Sequence, residues 1–400
     1  MSRPWDEWIP GVLNESQVQR LRGQGYIRLA DDVEIDGSAF DLSVSGRALE
    51  MKKGSVKPSA AAADYGGMVQ REGLALPFRP FRGLFHLRKK HTYVFQLRES
   101  IDKRLADAGF HGQATTKSSI GRLDVLTRLI VNGMDSYEGF TDAGLQRGDG
   151  QMYLEVTPIT FPIVLRVGTC LSQLRLFYGD PHDVEMRGGQ LFRAAFPGCE
   201  KSEGSLSVDL GNAQVGGICA SAFCASERAP ELRIDKGERS LDPHRFWKLK
   251  RSEMGRLTIG KDRFYILRSK EKIALPDGVA VYCRASDETI GEMRIHYAGF
   301  VHPLFGRERT DGSTGTPLIF EVRGHQVNVT LTDGERMASL IFYRMSEHCK
   351  GQVSSRSRRG GGAPVKGAQN YQDQGLQLSK FFKPWPARLK EFGDGNVRPA

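Results

Sequence analysis

The feature that most constrains the fold of this chain is a series of short motifs that occurs twice in the same order. Tyr93-Val-Phe-Gln-Leu-Arg-Glu-Ser-Ile in the first half corresponds to Tyr265-Ile-Leu-Arg-Ser-Lys-Glu-Lys-Ile in the second. The other pairs are Phe40-Asp-Leu-Ser-Val with Ser207-Val-Asp-Leu-Gly, Gly139-Phe-Thr-Asp with Gly299-Phe-Val-His, Tyr153-Leu-Glu-Val with Ile319-Phe-Glu-Val, and Leu174-Arg-Leu-Phe-Tyr with Leu340-Ile-Phe-Tyr. The partners are about 160 to 172 residues apart, which is the length of one domain. The chain is therefore predicted to be a tandem duplication.

The length of the chain agrees with two domains, because a single hydrophobic core rarely grows to 400 residues. The segment from Asp180 to Ser205 mixes Gly, Pro and charged residues without strong periodicity, which is typical of a connection between domains. We predict that the first repeat spans residues 1–190 and the second repeat residues 191–400.

Strand-like runs rich in β-branched and aromatic residues recur along the whole chain and are separated by Gly, Pro and Asp. Examples begin at Tyr93, Tyr153, Phe161, Phe264 and Leu318. Two stretches have helical periodicity, Glu15 to Arg22 and Gly121 to Ile130. The sequence therefore predicts a mainly β protein with few short helices.

The charge of the chain indicates an anionic partner. A net charge of +10 and a pI of 9.3 suit a nucleic acid, a membrane surface or a phosphorylated small molecule. Part of the basic excess lies from Ser354 to Gly367, a Gly- and Arg-rich segment typical of a solvated linker.

The N-terminal segment and the cysteines bear on the compartment. The N-terminal segment has no continuous apolar core, so neither a signal peptide nor a membrane-spanning helix is expected. Six cysteines at irregular intervals are typical of reduced thiols. We therefore expect a cytoplasmic protein without a membrane partner.

The segment Lys117-Ser-Ser-Ile-Gly-Arg122 is a candidate phosphate-binding site. Ser118 and Ser119 supply adjacent hydroxyls at the start of a predicted helical stretch, and Lys117 and Arg122 supply positive charge. Backbone N–H groups, hydroxyls and cations are the groups that bind a triphosphate. The alternative interpretation is a helix N-cap with incidental basic neighbours.

Two strand glutamates, Glu155 and Glu321, occupy matching positions in the two repeats. Alternation along a strand places them on the same face as Tyr153 and Ile319, respectively. A carboxyl group in such half-apolar surroundings has a raised pKa and can accept a proton from water. The alternative interpretation for each residue is a surface glutamate.

These motifs together resemble the dCTP deaminases, a family of zinc-independent enzymes that share the trimeric dUTPase-like fold. Residues 117–130 resemble the phosphate-binding and catalytic segment, residues 295–306 the base-binding hairpin, and residues 370–380 the closing nucleotide lid. Glu155 and Glu321 stand where the family has its catalytic glutamate. The resemblance covers most of the chain and implies two distorted, jelly-roll-like β-barrel domains, as in the long, two-repeat bacterial form.

The resemblance also implies roles for individual residues. The residues implied in catalysis are Glu321, Glu155, Arg122 and Ser118. The residues implied in nucleotide binding are Lys117, Ser118, Ser119, Gly121, Arg122, Ala298, Gly299, Phe300, Val301, His302, Tyr371, Gln372 and Gln374.

The chain departs from the family pattern in a complementary way. His302 replaces the usual hairpin Asp, and the segment that begins at Ile35 lacks the usual Gln-Pro. The second repeat lacks a Ser-Ser-x-Gly-Arg motif, and the first repeat has a poor hairpin. We therefore predict one composite site, with phosphates on the first repeat and the base and Glu321 on the second. Glu155 is the competing base, and the two halves would meet either within one chain or between chains.

The implied reaction is hydrolytic deamination of dCTP to dUTP. No His-x-Glu with a Pro-Cys-x-x-Cys is present, so no zinc site is expected, whereas Mg²⁺ is expected with the triphosphate. The resemblance further implies dTTP as a feedback inhibitor and self-association of the chain.

Other functions remain open. A dUTP diphosphatase, or a bifunctional enzyme that continues to dUMP, would need a hairpin carboxylate, and the first repeat offers Asp142 while the second offers only His302. A non-catalytic nucleotide sensor is a further alternative. A nucleic-acid partner is not favoured.

Overall fold

The computed structural model describes residues 3–200, 203–285, 293–296, 299–307, 309, 311–348 and 374–400. The main strands of the first repeat are β1 (Ala39–Glu50), β2 (Tyr93–Ile101), β3 (Phe110–Thr116), β4 (Val125–Val131), β5 (Gly139–Phe140), β6 (Gln151–Pro158) and β7 (Cys170–Tyr178). Those of the second repeat are β8 (Ser205–Asp209), β9 (Phe264–Ile273), β10 (Val279–Ala285), β11 (Met293–His296), β12 (Gly299–Val301), β13 (Thr316–Gly324) and β14 (Arg336–Arg344).

The remaining elements are short. Additional strands are Gly11–Val12, Ile27–Arg28, Ile35–Asp36, Arg79–Pro80, Leu84–Leu87, Ile163–Arg166, Glu185–Met186, Ala213–Val215, Ile218–Ala220, Ala222–Ala225, Leu232–Arg233, Trp247–Lys250, Arg256–Ile259, Val329–Thr332, Leu389–Phe392 and Asn396–Pro399. The α-helices are α1 (Glu15–Gly23), α2 (Tyr65–Arg71), α3 (Ser118–Gly121), α4 (Asp142–Arg147) and α5 (Gly189–Ala195). The 3-10 helices are Lys103–Ala108, Pro181–Val184, Ile234–Lys236 and Pro243–Arg245.

The two repeats have the same strand order. The main strands of the first pair in the order β5-β3-β7-β1-β2-β6-β4, and those of the second in the order β12-β10-β14-β8-β9-β13-β11. Every pairing between these strands is antiparallel, and each set of strands forms a barrel-like sheet. The mainly β class and the tandem duplication are confirmed.

A side-chain contact repeats together with the strands. Glu99 on β2 accepts hydrogen bonds from the backbone N and Oγ of Ser43 at 2.8 and 2.7 Å. Glu271 on β9 accepts the same bonds from Ser207 at 2.7 and 2.8 Å. The contact makes Ser43 the structural counterpart of Ser207, so the pairing of Phe40 with Ser207 in the sequence is three residues out of register, whereas the pairing of Glu99 with Glu271 is correct.

One of the two predicted helices is correct. Helix α1 begins after Asn14, whose side chain and Gln17 form a capping box, as the pattern from Glu15 to Arg22 predicts. The predicted helix from Gly121 to Ile130 is wrong, because α3 ends at Gly121 and strand β4 follows. Strand β4 pairs along its length with β6, and this long-range pairing outweighs the local helical pattern.

The two repeats pack closely against each other. The strand Gly11–Val12 pairs with β7 of the first repeat, and Val12 also forms a bridge to Met345 of the second. Leu378, Phe381 and Phe382, near the C-terminus, are buried in a hydrophobic core that contains residues of both repeats. The basic segment from Ser354 to Gly367 lies outside the described residues. No helix in the described part of the chain is long and apolar enough to cross a membrane.

Candidate active site

A cavity of about 210 Å³ lies between the two repeats and brings both halves of the predicted site together. The first repeat contributes Glu34, Asp36, Ser38, Ala39, Asp41, Thr116, Lys117, Ser118, Ser119, Arg122, Gln173 and Arg175. The second contributes Cys283, Gly299, Phe300, Val301, His302, Pro303, Phe305, Leu318, Ile319, Glu321, Gln374 and Lys380. Both halves therefore face one space within a single chain.

The candidate phosphate segment is a tight turn between β3 and β4. The carbonyl of Lys117 accepts hydrogen bonds from the backbone N–H groups of Ile120 and Gly121 at 2.8 and 2.9 Å. Ser118 is exposed and Ser119 is buried, and both line the cavity. Gly121 is buried in the turn but is not part of the cavity wall.

Glu321 lies on β13, opposite Ile266 of β9 and beside the buried guanidinium of Arg122. Its side chain is buried, and its Oε1 lies 4.0 Å from Nε of Arg122. Burial raises the pKa of Glu321 to about 8; Arg122 acts in the opposite direction and Asp124 adds to the increase. A carboxyl group with such a pKa can accept and return a proton near neutral pH.

Arg122 also connects the turn to the C-terminal segment. Its Nη2 donates to Oε1 of Gln374 at 2.7 Å, and its Nη1 donates to the carbonyl of Gln377 at 3.2 Å. The Oγ of Ser379 donates to the carbonyl of Ser119 at 2.6 Å. The end of the predicted lid segment is therefore held on the candidate phosphate-binding turn.

Arg175 on β7 fixes the hairpin strand of the second repeat. It is buried, and its Nη1 and Nη2 donate to the carbonyls of Val281 and Val301 at 3.0 and 3.4 Å. Its guanidinium carbon lies 4.0 Å from the ring centroid of Phe300. Sequence analysis missed Arg175, although it stands in the repeated motif Leu174-Arg-Leu-Phe-Tyr, because its partners belong to the other repeat.

His302 contacts the first repeat directly. Its Nε2 lies 2.7 Å from Oδ1 of Asp36, and its Nδ1 lies 2.5 Å from the carbonyl oxygen of Pro303. Burial opposes the ionisation of Asp36, but the hydrogen bond and charge of His302 outweigh burial and lower the pKa of Asp36. Gly37 has a positive φ of 60°, and a Cβ there would lie 2.5 Å from Nε2 of His302.

Both acidic and basic side chains line the cavity. Lys117 forms an ion pair with Asp41. Burial raises the pKa of Glu34, and the charges of Asp36 and Asp41 raise it further against the effects of Lys117 and Lys380. A polyanionic ligand would compete with these carboxylates for the two lysines.

Glu155 is not part of this cavity. It is buried on β6, where its Oε1 accepts from Nε of Arg128 at 2.8 Å and from Oγ of Ser55 at 2.9 Å. Its Oε2 accepts from the hydroxyl of Tyr137 at 3.3 Å. The carboxylate is thus fully engaged in structural contacts.

Three of the residues predicted to bind nucleotide, Ala298, Tyr371 and Gln372, lie outside the described residues. Among the described residues, no three His, Cys, Asp or Glu side chains come together as a metal site.

Burial of Glu321 leads to a prediction about stability. Its pKa is about 8 in the folded protein and 4.5 when unperturbed, so the folded state holds the proton more tightly. The stabilisation is complete below pH 4.5 and is lost as the pH rises through about 8. Glutamine cannot ionise, so Glu321→Gln should gain stability relative to the native chain as the pH is raised from 5 to 9. Paired thermal unfolding curves test this, and a constant difference in Tm would contradict it.

Comparisons with known proteins identify the family of the chain. The family model of the 2'-deoxycytidine 5'-triphosphate deaminase N-terminal domain matches residues 9–180, and that of the C-terminal domain matches residues 189–382. A crystal structure of 2'-deoxycytidine 5'-triphosphate deaminase from Agrobacterium tumefaciens is similar, with a TM-score of 0.73 and 25% sequence identity over 85% of this chain and 99% of that chain. No curated protein matches the chain by sequence.

Proposed function

Because this chain belongs to the 2'-deoxycytidine 5'-triphosphate deaminase family, we propose that it converts dCTP and water to dUTP and ammonia in the cavity between its repeats. The observation that carries the proposal is the buried Glu321 beside Arg122, in a cavity that also contains the Lys117–Ser119 turn. A base for water and a binding site for phosphates thus face the same space.

The proposed reaction uses Glu321 as a proton carrier. Its carboxylate takes a proton from water, and the resulting hydroxide adds to C4 of cytosine while N3 receives the proton. A second transfer through Glu321 protonates the amino group, which leaves as ammonia when the C4 carbonyl forms. Arg122 stabilises the carboxylate form, and backbone groups of Gly299 to Val301 hold the base.

We also propose the ligands that accompany this reaction. Mg²⁺ would enter with the triphosphate, since Lys117 and the two serine hydroxyls of the turn are hydrogen-bond donors to phosphate and the turn has no carboxylates to bind the ion. Zinc would not take part, since the sequence has no His-x-Glu with a Pro-Cys-x-x-Cys to hold it. We propose dTTP as a feedback inhibitor that uses the same phosphate turn, self-association of the chain, and action on the cytoplasmic nucleotide pool.

Product analysis tests the proposed reaction. Purified protein with dCTP and Mg²⁺ should release dUTP and ammonia in equal amounts, also after treatment with a zinc chelator. Release of dUMP and pyrophosphate would instead indicate the diphosphatase alternative. Asp142, which that alternative would use, does not line the cavity. Binding of dCTP without any product would indicate a sensor.

The pKa of Glu321 sets the expected pH dependence. The base must be ionised, so kcat/KM should rise about tenfold per pH unit and level off near pH 8. A profile of kcat/KM measured from pH 5.5 to 9.5 shows this rise, the acidic limb of the profile. A limb near the ordinary carboxyl value of 4.5 would contradict a base whose pKa is raised by burial.

A further inference from the structure

A second buried pair, Asp124 and Arg323, connects the two halves of the site. Asp124 follows Arg122 by two residues in the turn of the first repeat, and Arg323 follows Glu321 by two residues on β13 of the second. Because side chains alternate along a strand, Arg323 lies on the same face of β13 as Glu321. Each member of the pair is thus the near neighbour of one member of the reactive pair.

The contacts of this pair are extensive. The guanidinium of Arg323 forms an ion pair with Asp124 and a hydrogen bond with the Thr160 hydroxyl, and its Nη1 donates to the carbonyl of Asp262 at 2.8 Å. The hydroxyl of Thr160 donates to Oδ2 of Asp124 at 2.5 Å. Both charged side chains are nearly inaccessible to solvent, with 0% of Asp124 and 9% of Arg323 exposed.

The backbone at Asp124 is also constrained. Its φ of 58° lies in the left-handed region, which non-glycine residues rarely adopt. Its N–H donates to the carbonyl of Gly121 at 2.8 Å, and its carbonyl accepts from Ile159 at 2.9 Å. These bonds end the turn and direct the Asp124 side chain toward the second repeat.

The first repeat folds without an arginine at the position that matches Arg323. The residue of the first repeat that corresponds to Arg323 is Thr157, which likewise follows the strand glutamate by two residues. Thr157 is uncharged and exchanges a hydrogen bond of 2.9 Å with Thr92. A buried ion pair costs desolvation energy and is weak evidence for stability. The place of the pair, two residues from Arg122 and two from Glu321, therefore indicates a role in the site rather than in stability.

We propose that Asp124 and Arg323 form a positioning pair that holds Arg122 and Glu321 together across the repeats and sets the charge around Glu321. This inference rests on the proposed deamination. The pair would keep the reactive carboxyl group aligned with the nucleotide bound on the first repeat, and Asp124 would favour its protonated form.

The charged and titratable groups around Glu321 determine how far each substitution should shift its pKa, and with it the acidic limb of kcat/KM. They are Arg122 and Asp124 from the first repeat and Cys283 from β10. His296 is the backbone neighbour of Glu321 on β11. Burial raises the pKa of Cys283 to about 12, so this thiol stays neutral over the range of the experiment.

The test uses single and double substitutions in the full chain. Asp124→Asn removes a negative charge and leaves Arg323 uncompensated, so the limb of kcat/KM should move to lower pH by about one unit. Arg323→Gln leaves Asp124 uncompensated, so the limb should move to higher pH. Asp124→Asn/Arg323→Gln should return the limb close to its original position. Each variant should lower kcat by about 100-fold at its own optimum, with a smaller change in KM.

The controls separate this inference from a general loss of structure. Asp209→Asn breaks a cross-strand pair with Arg268 in the second repeat, outside the cavity, and should leave the limb unchanged. If Asp124→Asn does not fold, Arg323→Lys keeps the charge but cannot reach all three partners, so kcat should fall without a shift of the limb. An active native chain whose Asp124 and Arg323 variants keep the native kcat and limb would overturn the inference. An inactive native chain would instead overturn the proposed function.

Discussion

Glu321→Gln should lower kcat for dCTP deamination by about 1,000-fold or more, since proton transfer by a positioned side chain contributes about that factor. Glutamine has the shape of the protonated carboxyl group but cannot accept a proton from water. Because Glu321 is largely protonated at neutral pH, the substitution should leave the fold and KM almost unchanged. Steady-state kinetics with circular dichroism and a measured dCTP affinity test this expectation.

Glu155→Gln is the matched control, because Glu155 occupies the same position in the first repeat. Glutamine can still accept a hydrogen bond from Arg128 and from Ser55, so its activity should stay close to that of the native chain. Loss of activity in Glu155→Gln, with activity retained in Glu321→Gln, would reverse the assignment of the base.

Arg122→Lys should lower kcat/KM by about 100-fold or more, although the positive charge is kept. Lysine lacks the planar guanidinium group with its several N–H donors, so it cannot contact Glu321 and at the same time donate to Gln374 and the carbonyl of Gln377. The C-terminal segment would lose the hydrogen bonds that connect it to the Lys117–Arg122 turn, and KM should rise together with the fall in kcat. Kinetics at several dCTP concentrations separate the two effects.

Arg128→Lys is the corresponding control in the first repeat. Arg128 pairs with Glu155 and stacks on Tyr137, with 4.4 Å from its guanidinium carbon to the ring centroid. Its loss should affect stability more than kinetics. An equal loss of kcat/KM in both variants would mean that Arg122 acts through the stability of the fold rather than in the site.

Much of the fold was predictable because the duplication constrains it. Motifs such as those that begin at Tyr93 and Tyr265 fold as equivalent strands, β2 and β9, with the same neighbours. Alternating β-branched and aromatic residues favour strands directly, so these elements follow from local sequence.

The stretch from Gly121 to Ile130 shows where local pattern fails. Leu123, Leu126 and Ile130 have helical spacing, whereas Val125, Thr127 and Leu129 alternate as in a strand. The choice depends on Asp124, whose positive φ ends the turn, and on pairing with a strand more than twenty residues away. Neither is visible in the local sequence.

A composite site was predicted from the sequence, but not which glutamate lines it nor that its two halves meet within one chain. The candidate phosphate-binding turn and the two strand glutamates were recognised from their residue types. The choice between Glu321 and Glu155 depends on their partners, Arg122 for one and Arg128 with Ser55 for the other, which only the folded chain brings together. Asp36 and Arg175 were missed for the same reason, since both act across the boundary between the repeats.

The central claim is that one chain supplies both halves of the active site. The most direct measurement is dCTP deamination by a complex of two inactive chains, Arg122→Lys and Glu321→Gln, that are coexpressed with different tags and purified through both. If each site lies within one chain, every site in the mixed complex carries one of the two substitutions. Its activity should then not exceed that of the separate variants, while a doubly tagged native complex is fully active.

If the tags never copurify and the native chain is active, the site also lies within one chain. Recovery of a large share of native activity in the mixed complex would contradict the claim, because it would require Arg122 and Glu321 to meet between chains.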